Sequence, residues 1–303
     1  MSSSSTALQH RYPYLVLVIA PILWGGNAVA GKLANGIIPP STLTALRWIG
    51  AVVLVGLLAQ SQIRKDWPVL KRHALLFMML GVLGYAGFNL FLYQGLTLTT
   101  SLNISLVQAT IPMFILLGSI LLAQSVRPMQ WLGAAFSIAG VIVVVTQGDY
   151  HNLVSLQFNR GDLFGLGACV VYAIYSLGLR YRPAVHWASF LFMASVGASL
   201  AAIVPSLFEL GAGDVVVWNG QTLALIIYVI LGPSIVAQLC FIFGVEAIGA
   251  ARAGLFISFV PIFGALLSVL IVNEQFEFYH LVATLMVATG IVISEIASRQ
   301  PAS

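Results

Sequence analysis

The apolar residues of this chain fall in long continuous runs separated by short polar stretches, and ten runs stand out, at about 13–34, 40–60, 73–95, 99–123, 128–147, 161–181, 185–207, 219–243, 249–272 and 277–297. Each approaches the roughly 20 mainly apolar residues that cross about 30 Å of hydrocarbon, so the pattern predicts ten transmembrane helices. Their continuity argues against a barrel, whose lipid-facing strands alternate in segments of about ten residues. The runs use most of the 303 positions and leave no room for a soluble domain. Composition agrees: 60% of residues are hydrophobic and 7% charged, against roughly 45–50% and 25% in a soluble domain. The expected class is an all-α polytopic membrane protein.

The runs also repeat. Gly95 to Leu122 returns 149 residues later as Gly244 to Ile271, with identities at Gly95/Gly244, Leu106/Leu255, Pro112/Pro261, Phe114/Phe263, Leu117/Leu266, Ser119/Ser268 and Leu121/Leu270. In so apolar a chain the prolines carry the most weight, since a proline inside a helical run removes a backbone donor and clashes with the preceding turn. Pro112 and Pro261 are therefore expected to be equivalent breaks, or hinges. The chain divides into a tail over 1–12, a five-helix repeat over 13–147, a linker over 148–160, a second five-helix repeat over 161–297 and a tail over 298–303. Five is odd, so the copies should enter the membrane from opposite sides, as inverted repeats do in alternating-access carriers.

Charge sets the orientation. With the N-terminus inside, Arg11, Arg64, Lys65, Lys71, Arg72, Arg127, Arg180, Arg182, Arg252 and Arg299 lie on the cytoplasmic side, and only Lys32 and Arg160 outside. This is the positive-inside bias of a protein with both termini cytoplasmic. It accounts for the net charge of +4 without a nucleic-acid partner. The Ser-rich start lacks the basic region and cleavage pattern of a secretory signal. Cys169 and Cys240 fall inside spans and are read as packing residues.

Polar residues inside the spans are the candidates for function, because each needs a partner or a wet cavity. Trp24 and Asn27 share a face of the first span beside Gly31, and Lys32 is read as an anchor at its outer end. Asn27 suits an interhelical hydrogen bond or a cavity wall equally well. Arg47, about two turns into the second span, suits a pathway or a structural clamp. Tyr85, Asn89 and Tyr93 line one face of the third span, and Asn103, Gln108 and Thr110 precede Pro112 in the fourth. An offset of 148 places Trp24 on Tyr172, Asn27 on Tyr175 and Lys32 on Arg180; an offset of 149 places Asn89 on Gln238. Such rings and amides could hold a polar organic substrate, although aromatic stripes are also ordinary packing. Glu246 and Arg252 flank a turn between the eighth and ninth spans, as a surface ion pair or an inner gate. Asp149, His151 and Asp162 match no common metal-ligand spacing and read, like Glu209 and Asp214, as solvated.

Taken together, Trp24 with Lys32, the Pro40-x-x-Leu43-x-x-x-Arg47 spacing, the Gly249 to Gly254 run and Pro261 followed by Glu274 resemble the EamA family of the drug/metabolite transporter superfamily over essentially the whole chain. The resemblance implies ten helices around a central cavity lined by spans one, three, four, six, eight and nine. It also implies export of small metabolites, often amino acids or their derivatives, from the bacterial cytoplasm across the inner membrane. Where the first half of a family member often has an acid matching Glu274, this chain has Gln124-Ser125.

The expected function is a secondary carrier for a small polar or amphipathic metabolite, with Trp24, Asn27, Tyr85, Asn89, Tyr93, Gln108, Tyr172, Tyr175 and Gln238 as substrate-binding residues and Arg47, Glu246 and Arg252 in gating or coupling. A channel or lipid flippase is the alternative. The partners are a small-molecule substrate and the bilayer. A coupling proton, and a monomer or homodimer, are left open. No protease, hydrolase or Walker motif occurs in the sequence, so an enzyme, a metal and a cofactor are not expected.

Overall fold

The computed structural model describes residues 3–122, 128–149, 159–249, 253 and 256–299, and every regular element among them is a helix. Eight helices are long and apolar enough to cross a membrane: Pro13–Ala34, Pro40–Leu58, Ala74–Leu96, Ser101–Leu121, Pro128–Val145, Arg160–Tyr181, Trp187–Gly211 and Gly220–Ile248. Two shorter apolar helices follow, Val260–Val272 and Phe278–Gly290, the last continuing to Arg299. These are counted below as the first to tenth helices. The polar segment between the second and third runs forms a separate helix, Gln60–Arg72. It is held by Ile63 and Leu70, which lie two turns apart on one buried face, and Lys71 and Arg72 in its last turn oppose the helix dipole.

Helix ends in an apolar medium need partners for their free backbone groups, and here distant acids and lysines supply several. Glu209, at the end of the seventh helix, accepts from Ser41 N at 3.0 Å and Thr42 N at 3.1 Å, capping the second helix. Glu274 accepts from Ser101 N and Leu102 N at 2.8 Å, capping the fourth. Lys32 donates to Leu96 O at 3.1 Å and Thr99 O at 2.7 Å, closing the end of the third. Glu209 is therefore bound rather than solvated, and Lys32 turns inward to the protein instead of anchoring at the lipid surface. These bonds gather residues 32–42, 96–102, 209 and 274 at one end of the bundle, where Asp162 also meets Thr99. The first helix ends and the sixth begins at this end.

The first helix packs on the eighth and ninth, the sixth on the third and fourth, the second on the seventh and the fifth on the tenth. Local irregularities recur with the same spacing. The third helix carries a π turn over Val82–Gly87 and the eighth one over Gly232–Val236. The fourth helix tightens to a 3-10 turn over Gln108–Thr110, because Pro112 has no N–H for the Gln108 carbonyl; Ile111 N bonds it instead. The ninth starts anew at Val260 after an equivalent turn, Phe259 N bonding Phe256 O at 3.1 Å. Thr110 and Phe259, each two residues before its proline, have φ/ψ of −79/−10° and −81/−10°. Both prolines thus lie at the start of a helical segment.

Close backbone approach sets the helix crossings. A Cβ at Gly25 would lie 2.6 Å from Gly264 N in the ninth helix. At the crossing of the third and seventh helices, a Cβ at Gly81 would fall on the Ala194 carbonyl and one at Gly197 on that of Met78. With backbone as the obstacle, neither side chain rotation nor small shifts relieve the clash. Gly81→Leu should lower the thermal midpoint of the purified protein by an amount equivalent to about 1–3 kcal/mol, whereas Gly211→Leu, where nothing lies within 4 Å, should be neutral. Equal melting of the two variants would refute this packing.

Candidate functional site

Three helices place polar side chains around Arg47, which is 5% exposed in the second. Its Nε donates to Ser234 Oγ at 2.8 Å, and its Nη1 to Asn27 Oδ1 at 2.6 Å, Asn89 Oδ1 at 2.9 Å and Tyr93 Oη at 3.0 Å. Tyr93 Oη in turn donates to Asn27 Oδ1 at 2.7 Å. Asn27 Nδ2 approaches Asn89 Oδ1 at 3.4 Å, and Asn89 Nδ2 donates to Tyr85 O at 2.6 Å. Every hydrogen-bond partner of the guanidinium among the described residues is neutral, and Nη2 has none.

Backbone irregularity builds these acceptors. Pro233 offers no N–H to Val229 O, and the hydroxyl of the next residue, Ser234, takes that carbonyl at 2.8 Å. The same oxygen then accepts from Arg47. The freed Pro233 carbonyl receives Trp24 Nε1 at 3.0 Å, and Tyr228 Oη reaches Leu23 O at 3.0 Å. In the third helix Asn89 occupies a carbonyl of the π turn in a comparable way. Offset by 149, Ser234 is the counterpart of Tyr85, so both π turns feed the site.

Aromatic rings adjoin it. Trp48 stacks on Tyr85 at 4.4 Å and 9°, and the Arg47 Cζ lies 4.8 Å from the Trp48 ring. Tyr85 meets Tyr175 at 5.8 Å, Tyr175 meets Tyr172 at 5.4 Å and Tyr172 meets Phe88 at 5.3 Å. Trp48 Nε1 is buried without a hydrogen-bond partner among the described residues. In this conformation the residues expected to line a cavity are packed against one another. A cavity of about 520 Å³ lies elsewhere, lined by Thr42, Ile49, Ser206 and Trp218 between the second and seventh helices.

Of the residues predicted for the site, Asn27, Asn89, Tyr93 and Arg47 converge in one network, and Tyr85, Tyr172 and Tyr175 in the adjoining ring cluster. Trp24 contacts the eighth helix and tilts against Phe241 at 5.7 Å. Gln108 lies apart on its 3-10 turn, bonding back to Ile104 O at 3.4 Å. Gln238 is half-buried and Glu246 exposed, neither in the network. Arg252, Gln124, Ser125 and His151 lie outside the described residues. Ser234 and Trp48 join the site without having been singled out. Ser234 had a signal, a hydroxyl directly after a proline inside an apolar run; Trp48 had none beyond adjacency to Arg47. Asp162 is a correction: it is wholly buried, accepting from Thr99 Oγ1 at 2.7 Å.

The model of the EamA-like transporter family matches the chain twice, over residues 11–146 and 159–295. A Bacillus subtilis (strain 168) protein named as the uncharacterized transporter YyaM is 27% identical over 304 aligned positions, covering 97% of each chain. An aromatic amino acid exporter, YddG of Ancylobacter novellus, is 28% identical over 202 positions, covering 64% of this chain and 67% of its own. A solved crystal structure shares the fold, with a TM-score of 0.63 at 22% identity, covering 95% of this chain and 99% of that one. With two family matches that together span nearly all its helices, this multi-pass membrane protein belongs to the EamA-like transporter family.

Proposed function

We propose that the chain is a secondary carrier that exports a small organic solute with a carboxylate beside an apolar body, an amino acid or a derivative of one, from the bacterial cytoplasm across the inner membrane. The observation that carries the proposal is Arg47: a buried cation among neutral acceptors, with a free Nη2 and an aromatic cluster beside it. A cation away from water is stabilised strongly by an anion, and a planar guanidinium suits a carboxylate in bidentate geometry. Asn27, Asn89 and Tyr93 then hold the guanidinium between substrates, while Tyr85, Tyr172 and Tyr175 offer apolar area to the solute's body. The exporter named for aromatic amino acids supports this class.

Alternating access is part of the same reading. Among the principal contacts, replacing each helix by its counterpart five places along turns first–eighth and first–ninth into sixth–third and sixth–fourth, while second–seventh, fourth–ninth and fifth–tenth exchange into themselves. A two-fold relation between the halves has that property. Because the first helix ends where the sixth begins, the axis is assigned to the membrane plane, and the halves are inverted copies. Pro112 and Pro261 are assigned as the hinges, each after a turn that has already left α geometry.

Two measurements test the site. Protein in liposomes should exchange labelled phenylalanine or another amino acid with a saturable rate, and Arg47→Met should abolish exchange without loss of folded protein; undiminished exchange by that variant removes Arg47 from the pathway. Asn27→Asp supplies an internal carboxylate to the same guanidinium. It should raise thermal stability while lowering exchange about tenfold or more, since each decade corresponds to roughly 1.4 kcal/mol of competing interaction. A variant that exchanges normally would show that no solute anion takes that place.

A further inference from the structure

A second polar centre lies at the end of the bundle where the third and fourth helices join. Asp162, in the first turn of the sixth helix, is 0% exposed. Among the described residues its hydrogen-bond donors from side chains are Thr99 Oγ1 at 2.7 Å and Asn103 Nδ2 at 3.4–3.5 Å. Asn103 Oδ1 faces His280 Nε2 of the tenth helix at 3.0 Å. Because Glu277 N donates to His280 Nδ1 at 2.9 Å, Nδ1 is the acceptor and the ring proton sits on Nε2, pointing at Asn103. Hydrogen-bond directions therefore run from imidazole through amide to carboxylate, three side chains each at most 3% exposed.

We propose that Asp162 is a proton-binding site, held by Asn103 and His280, whose loading and release couple proton movement to the opening of this end of the transporter. A buried carboxylate with no cation bonded to it among the described residues is costly to keep charged and is discharged by taking up one proton. A proton on Oδ2 would remove the charge and turn one of the two oxygens facing Asn103 Nδ2 into a donor. Oδ1 would be left to accept from both Thr99 Oγ1 and Asn103 Nδ2 as weaker, uncharged bonds, so the joint between the fourth, sixth and tenth helices loosens. The surrounding titratable and charged groups are Lys32 on the first helix, bonded to Thr99 O; Glu274, which caps the fourth helix; Glu277, Tyr279 and His280 before and on the tenth; and Asp149 and Arg160 at the ends of the fifth and sixth. The acid is thus one bond removed from Lys32, which ties the first helix to the third. Glu246, the acid first considered for coupling, is exposed.

The coupling part of this proposal rests on the carrier reading above; proton binding does not. Asp162→Asn keeps the size and an acceptor oxygen. On full-length protein in lipid, pH-dependent infrared difference spectra should show the carbonyl stretch of a buried protonated acid that Asp162→Asn removes and Thr99→Val shifts, with a loss of about one titrating proton per chain. Spectra identical between wild type and Asp162→Asn would overturn the site. In liposomes, Asp162→Asn should keep exchange of labelled phenylalanine at equal pH but lose about tenfold or more of the accumulation driven by a pH gradient. Wild-type exchange that ignores the gradient overturns coupling alone, while absence of exchange for any amino acid tested sinks the carrier reading and leaves the infrared result to decide the proton site.

Discussion

The cation of Arg47 is the constraint around which the membrane-buried part of this protein is arranged. Moving an unpaired guanidinium into hydrocarbon is costly, and such residues turn to the protein interior and gather partners. Here the partners come from the first, third and eighth helices, so one side chain on the second sets the rotation of three others. Each partner in turn has a second obligation: Tyr93 to Asn27, Asn89 to the Tyr85 carbonyl, Ser234 to the Val229 carbonyl. Removing the cation leaves a set of dipoles pointing at one another; keeping it leaves a positive centre whose hydrogen-bond partners among the described residues are all dipoles. That imbalance is tolerable for a structural clamp and useful for a carrier that must release what it binds.

The two π turns explain how helices supply those dipoles without losing their own bonding. An extra residue in a turn frees carbonyls that a regular helix would consume. In the eighth helix Pro233 creates the gap and Ser234 bridges it; in the third, where no proline is present, the amide of Asn89 takes the carbonyl. The same backbone solution thus appears in both halves with unrelated side chains, which is why identity between the halves is sparse where their geometry agrees. Natural selection of the repeat is visible in backbone dihedrals, as at Thr110 and Phe259, more than in residue type.

Much of this was legible in the sequence. Apolar runs located the first eight helices and the tenth to within about five residues, while the ninth run, placed at 249–272, holds an apolar helix that starts only at Val260; the intramembrane amides, tyrosines and arginine include most of the residues that meet in the network. What escaped had physical reasons. Ionic residues near span ends look solvated in a sequence, because nothing local shows that Glu209, Glu274 and Lys32 reach across to cap other helices. Asp162 escaped for the same reason: one turn from a polar linker, it is buried by Thr99 and Asn103, which precede it by 63 and 59 positions. Gln238, chosen by its offset from Asn89, is outside the network because Ser234, one turn earlier, already serves Arg47 from the eighth helix.

The two polar centres are mechanically joined. Asn27 and Lys32 stand on the first helix, one bonded to Arg47 and the other to the Thr99 carbonyl; Tyr93 and Thr99 stand at the end of the third, one in each centre. Between them a Cβ at Gly31 would lie 2.6 Å from both Tyr93 and Leu96, so the side chains of the third helix pack directly on the backbone of the first at that point. A displacement of the first helix against the third therefore disturbs Tyr93 and Thr99 together. If the proposed anion site and proton site are both correct, no separate relay is required between them: the rigid pair of helices is itself the coupling element, a packed contact with few intermediate positions rather than a chain of side chains.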